Sequence, residues 1–194
     1  MGKEINLLKN YPTSKRNITD RKFKKNDETV KISRKFGKEY FDGDRIYGYG
    51  GYSYNKKYWF NVVDTFVDYY NLSKESSILD IGCAKGFMLY DFINKIPTLK
   101  IKGIDISKYA IENSIEEIKP NLVLGDAKKL PFKDNSFDLV ISINTIHNLN
   151  ETDCSKALKE IGRVSKKNSF LTVDAYKDEK EKKKMDDWNL TALT

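Results

Sequence analysis

From Tyr58 to Tyr70 the apolar side chains Trp59, Val62, Val63, Phe66, Val67 and Tyr70 fall at the three- and four-residue spacing of a helix with one buried face. The period then changes. Ser77-Ile78-Leu79-Asp80-Ile81-Gly82 is a short, mostly apolar run ending in a glycine loop, as expected of a strand buried on both faces. Met88, Leu89, Phe92, Ile93 and Ile96 form a second helical stripe closed by Pro97, and Leu99 to Ile106 supplies a second strand ending near Asp105. Ser107 is placed to cap a helix that buries Ile111, Ile115 and Ile118 and stops at Pro120, after which Leu122-Val123-Leu124 predicts a third strand running into Gly125-Asp126. Phe137 to Ile143 is the most strand-like run of the chain and predicts a fourth, central strand. Ala157, Leu158, Ile161 and Val164 predict a further helix, and Phe170 to Val173 a fifth strand. Strand, helix and strand in repetition predict an α/β fold, a doubly wound parallel sheet of about five strands with helices on both faces.

Charge adds an asymmetry to this picture. Of 35 Lys+Arg and 28 Asp+Glu, residues 1–40 hold 12 and 5, so the whole +7 excess lies there. With little apolar periodicity, that segment reads as a basic, mobile arm, followed by a Tyr/Gly-rich lid and first helix at 41–76 and the main domain at 77–194. Clustered cations attract phosphates, but aromatics are sparse before Phe36 and nucleic acid is not the expected partner. The mixed-sign run Lys177 to Lys184 reads as an exposed helix face. No apolar stretch is long enough to cross a bilayer and no secretion signal opens the chain, so a cytoplasmic location is expected. Two distant cysteines and one histidine leave neither a disulfide scaffold nor a Cys/His metal site.

In open sheets of this kind, ligands bind beyond the carboxyl ends of the strands, and Asp80, Asp105 and Asp126 all sit near such ends. Any one of them can equally be a strand-end carboxylate capping a backbone N–H. The loop Asp80-Ile81-Gly82-Cys83-Ala84-Lys85-Gly86 is neither G-x-G-x-x-G nor a phosphate-cradling P-loop. A carboxylate at Asp105 can accept from both hydroxyls of a ribose; Asp126 with Ala127 can fix an adenine that Ile106 sandwiches; and Asp80 favours a cationic group.

Four segments together, Ile78 to Cys83, Gly103 to Ser107, Gly125-Asp126-Ala127 and Leu130 to Asp138, resemble the class I S-adenosylmethionine-dependent methyltransferases, nearest to the small-molecule branch of ubiquinone and menaquinone methyltransferases. The resemblance covers about Ser77 to Val173 and implies a Rossmann-like domain with S-adenosylmethionine as cofactor. It implies that Asp80 and the loop Gly82, Cys83, Ala84 and Gly86 face the methionine part, Asp105 the ribose, and Asp126 and Ala127 the adenine, with Asn144 lining the reaction centre. Two departures stand out. Family members carry a glycine where this chain has Ala84, and the family sheet ends in an antiparallel hairpin whose two strands are expected to be absent here.

An exposed fifth-strand edge would follow, covered in a homodimer or by a partner. The expected activity is methyl transfer to oxygen or nitrogen of a small molecule. His147, three residues past Asn144, is the imidazole available as a general base, or else a hydrogen-bonded loop histidine. Tyr49 and Tyr52, among alternating tyrosines and glycines, suit either a lid over cofactor and acceptor or an anchored loop. The rival readings are a non-catalytic or truncated subunit that keeps the fold, and an RNA methyltransferase using the basic segment.

Overall fold

A computed structural model describes residues 2–13 and 18–193. Three short helices, α1 (Ile18–Lys24), α2 (Asp27–Ser33) and α3 (Lys38–Asp42), precede the amphipathic α4 (Lys56–Tyr70), which buries Val62, Val63 and Phe66 completely. Asn55 caps α4 by accepting from the Lys57 N–H, and Asn71 ends it in the left-handed region at φ 50°, as helix C-termini commonly do. The alternation that follows is β1 (Ser77–Ile81), α5 (Phe87–Lys95), β2 (Lys100–Asp105), α6 (Lys108–Glu112), β3 (Leu122–Leu124), β4 (Phe137–Ile143), α7 (Glu151–Val164), β5 (Ser165–Thr172) and α8 (Glu179–Trp188). All four strand pairings are parallel, in the order β3-β2-β1-β4-β5. The direction of winding therefore reverses between β1 and β4, the switch point at which such sheets open a crevice.

Because side chains alternate across a strand, the central strands feed two cores. Ile78, Leu139 and Ile141 pack with Phe66, Leu89 and Phe92 of α4 and α5, whereas Leu79, Ile81 and Val140 pack with Ala157, Ile161 and Val164 of α7. The five strands and the helices flanking them agree with the hydrophobic periodicity, with two differences in extent. α6 stops at Glu112, since Ser107 caps it by accepting from the Ala110 N–H but the chain turns before Ile118. β5 begins five residues early, at Ser165; its polar first half lies at the sheet edge, where no apolar signal is needed.

The larger difference is at the N-terminus. Among the described residues of segment 1–40 (residues 1 and 14–17 lie outside them), the expected mobile arm is folded against the domain. Leu7 is buried in the main core, Asn10 Nδ2 donates to Thr65 Oγ1 at 3.2 Å, and a capping box at Asn26 and Thr29 starts α2. α1 meets α8: the Arg21 guanidinium lies 4.1 Å from the Trp188 ring centroid and Lys22 pairs with Asp187 at 3.0 Å. Its charges thus serve intramolecular contacts as well as solvent. Among the described residues no helix is long and apolar enough to cross a membrane.

Candidate active site

The turn out of β1 is built on two glycines that no other residue could replace without strain. Gly82 and Gly86 both have φ +79°, and a Cβ on Gly82 would come within 2.0 Å of Thr145 Oγ1. Between them Ala84 is also held in the left-handed region, at φ 50°, a conformation that costs a residue with a Cβ. The Gly82 and Cys83 N–H groups both donate to the Ile104 carbonyl, at 2.8 and 3.2 Å, which ties the turn to the end of β2.

Beyond these strand ends lies a cavity of about 530 Å3, within the size range of small-molecule sites. It is lined by Asp80, Asp105 and Asp126 together with Ala127, Ile106 and Asn144 and by the loop residues Gly82, Cys83 and Ala84. Gly86 is not in its wall. The lining also includes residues that the hydrophobic pattern did not reveal, Leu8 and Tyr11 of the N-terminal segment, Tyr40, and Trp59 of α4, together with Tyr49 and Tyr52; Tyr40 and Tyr52 pack in one cluster with Ala84 of the loop.

The three acids differ in their surroundings. Asp105 has both oxygens engaged by the backbone, Oδ2 accepting from the Ala84 N–H at 2.7 Å and Oδ1 from the Ser107 N–H at 2.8 Å. A carboxylate has about four lone-pair directions, so this cap leaves acceptor capacity for a ligand. Burial pushes its pKa up, partly offset by these bonds. Asp126 accepts from the Lys128 N–H at 2.9 Å and remains half exposed at the rim. Asp80 is the anomaly. It is buried, its carboxylate accepts no hydrogen bond from any described residue, and its pKa is pushed up to about 7, first by desolvation and then by the charge of Asp105. A buried carboxylate without a partner is unfavourable in isolation, and a ligand carrying positive charge would relieve it. A cationic centre at Asp80, a diol at Asp105 and a flat ring beside Ile106 and Ala127 match the chemistry of S-adenosylmethionine.

The segment around Tyr49 and Tyr52 is an anchored loop that also forms the cavity wall. The Tyr49 N–H donates to the Tyr40 carbonyl at 2.9 Å, and the Tyr52 N–H to Asp42 Oδ1 at 2.9 Å. The rings of Tyr49 and Tyr52 lie 4.4 Å apart, and Tyr52 stacks on Phe87 at 4.8 Å. Its clamp is Lys85, buried in the glycine turn, whose Nζ donates to Asp42 Oδ2 at 2.6 Å and to the Tyr52 carbonyl at 2.8 Å. The Tyr109 hydroxyl donates to the same Asp42 oxygen at 2.7 Å. Asp42 and Lys85 lie too far apart in sequence for spacing to reveal them.

His147 does not reach the cavity. It is buried; its Nδ1 accepts from the Asp174 N–H at 3.0 Å and its carbonyl from the Leu193 N–H at 2.7 Å. Burial lowers its pKa, against the nearby charge of Asp174. It therefore secures the segment after β5, and the expectation of a general base is replaced by the hydrogen-bonded loop histidine. Asn144 does line the cavity. Its left-handed backbone (φ 51°) and the 3.0 Å bond from Thr172 Oγ1 to its Oδ1 fix the side chain.

A profile of the methyltransferase domain matches residues 79–173. Among curated proteins, the chain is 38% identical over 99 residues to the mitochondrial arginine-hydroxylase NDUFAF5 of Rattus norvegicus, which covers 50% of this chain and 28% of that protein. It is also 38% identical over 100 residues to demethylmenaquinone methyltransferase of Staphylococcus aureus strain JH9, covering 48% and 40%. The aligned part spans from 25% to 49% of the first curated relatives. A candidate S-adenosyl-L-methionine-dependent methyltransferase from Methanococcus maripaludis shares the fold with a TM-score of 0.53 at 18% identity, over 66% of this chain and 61% of that one. The YcgJ protein of Bacillus subtilis does so with a TM-score of 0.51 at 24% identity, over 61% and 52%.

Proposed function

Because residues 79–173 are a methyltransferase domain of the class I S-adenosylmethionine-dependent family, we propose that the protein transfers the methyl group of this cofactor to oxygen or nitrogen of a small molecule. The observation that carries the reading is Asp80, a buried carboxylate with no hydrogen-bond partner among the described residues, beside Asp105 at the switch point of the sheet. Asp80 and the turn residues Gly82, Cys83 and Ala84 hold the cationic methionine part, Asp105 accepts from the ribose hydroxyls, and Asp126 and Ala127 with Ile106 hold the adenine. The bound cofactor supplies a methyl group already activated by its sulfonium, so the chain's own tasks are alignment and exclusion of water. Asn144, fixed by Thr172, borders the reaction centre, and Tyr40, Tyr49 and Tyr52 border the same cavity.

Calorimetry with S-adenosylmethionine and S-adenosylhomocysteine tests this reading. Binding of both, lost in Asp105→Asn, is expected; an Asp105→Asn variant with parental affinity refutes the ribose assignment. Cofactor binding without turnover on any acceptor would favour a non-catalytic subunit that keeps the fold.

A further inference from the structure

Helix α8 and the residues after it join two segments that line the cavity. On one side α8 meets α1. The Arg21 guanidinium is buried, lies 4.1 Å from the Trp188 ring centroid, and donates through Nη2 to the carbonyls of Arg45 at 2.5 Å and Gly48 at 2.9 Å. Arg45 holds its own guanidinium 5.4 Å from the same ring centroid and donates through Nη1 to the Gly48 carbonyl. On the other side Leu190 and Thr191 are buried, and the Leu193 N–H donates to the carbonyl of His147, in the loop that gives Thr145 and Asn148 to the cavity.

What α8 holds is the backbone of the aromatic loop. A Cβ on Gly48 would come within 2.1 Å of the Tyr40 carbonyl oxygen, and the Tyr49 N–H donates to that same oxygen. The chain at Gly48 and Tyr49 is therefore pinned between α3 and Arg21, and Arg21 rests on Trp188. Tyr49 lines the cavity yet keeps 44% of its surface exposed, which puts it at the mouth. α8 itself buries none of its residues. A helix with so little core contact is the kind of element that opens at low cost.

Resting on the cofactor reading above, we propose that α8 is a latch on the cavity. Seated, its Trp188 holds the loop through Arg21 and Arg45 and keeps Tyr49 at the mouth. Released, it frees the loop so that S-adenosylmethionine enters and S-adenosylhomocysteine leaves. Arg21, Arg45 and Trp188 are positioning residues that act through Tyr49. A weaker latch raises the open population of both the empty and the loaded protein, so it speeds arrival and departure together. A merely structural contact, when lost, speeds departure alone.

Surface plasmon resonance with the full chain immobilised and S-adenosylhomocysteine in flow reads both rates. Trp188→Leu is expected to raise the association and dissociation rate constants about tenfold each, equivalent to about 1.4 kcal/mol, while Trp188→Phe, which keeps a ring face, stays within about twofold of the parent. Arg21 and Trp188 have further partners, so Arg45→Met is measured beside them and should raise both rates about fivefold. An association rate constant at or below the parental value in a folded Trp188→Leu overturns the inference, as do Trp188→Phe rates equal to those of Trp188→Leu. If circular dichroism shows Trp188→Leu unfolded, a parental association rate in Arg45→Met overturns it instead. Failure of S-adenosylhomocysteine to bind the parent chain refutes the cofactor reading on which the inference rests.

Discussion

Asp80→Asn should stabilise the unliganded protein, and the gain should depend on pH. The change removes a charge from the lining of the cavity and leaves the shape of the side chain. Folding shifts the Asp80 pKa from an ordinary 3.8 to about 7. At about 1.4 kcal/mol for each tenfold change in proton affinity, that shift opposes folding by on the order of 4 kcal/mol once the group is ionised in both states. This is an upper bound, because water entering the cavity solvates the carboxylate.

The folded state holds its proton more tightly than the unfolded state, so the contribution of Asp80 to stability falls as pH rises from about 4 to about 7 and is constant above that. Urea melts of parent and variant should therefore coincide near pH 4 and diverge in favour of the variant by roughly 2 to 4 kcal/mol at pH 8. S-adenosylmethionine should reverse the order. Its positive charge pairs with ionised Asp80, so parental affinity climbs between pH 5 and pH 8, and the variant should bind about thirtyfold more weakly at pH 8, the value of one charge-assisted bond of about 2 kcal/mol. Equal melts of the two proteins at pH 8, or equal affinity for S-adenosylmethionine, would refute the assignment of Asp80 as the unpaired anion of the site.

Gly82→Ala should cost about 3 kcal/mol or more in urea unfolding, because φ is +79° and Thr145 Oγ1 lies 2.0 Å from the new methyl group. Lys85→Met strands Asp42, and since Asp42 is partly exposed the loss should be about 2 kcal/mol, with the loop 43–54 becoming sensitive to limited proteolysis; a double-mutant cycle with Asp42→Asn measures the coupling. His147→Gln should leave the affinity for S-adenosylhomocysteine at the parental value. Because burial lowers the His147 pKa below its ordinary 6.5, the unfolded state binds more protons there, and the parent loses stability as pH falls through 6.5 and below; the variant should lack that loss in thermal melts between pH 5 and pH 7.

Strand and helix identities were legible because burial on a sheet or helix face imposes a period, and the central strands β1 and β4 are dominated by apolar residues, whereas β2 was marked by Ile101 and Ile104 between polar residues. The strand-end acids were legible for the same reason: polarity inside an apolar run needs an explanation, and Asp80, Asp105 and Asp126 supplied it together. What stayed hidden lies in contacts between distant segments. Leu7, Leu8 and Tyr11 sit among lysines and asparagines, so composition outweighed a short apolar run that in fact reaches the core. The Lys85–Asp42 pair has no local signature, and His147 could be read as base or as loop anchor until the position of Asp174 decided it.

The placement of the chain's two tryptophans gives the molecule a pair of optical probes. Trp59 lines the cavity, and Trp188 lies under the guanidinium groups of Arg21 and Arg45 where the first and last helices meet. Fluorescence of Trp59 should follow what fills the cavity. Emission from Trp188 should report whether that event is felt at the junction of the two ends of the fold, and replacing either indole by phenylalanine separates the signals.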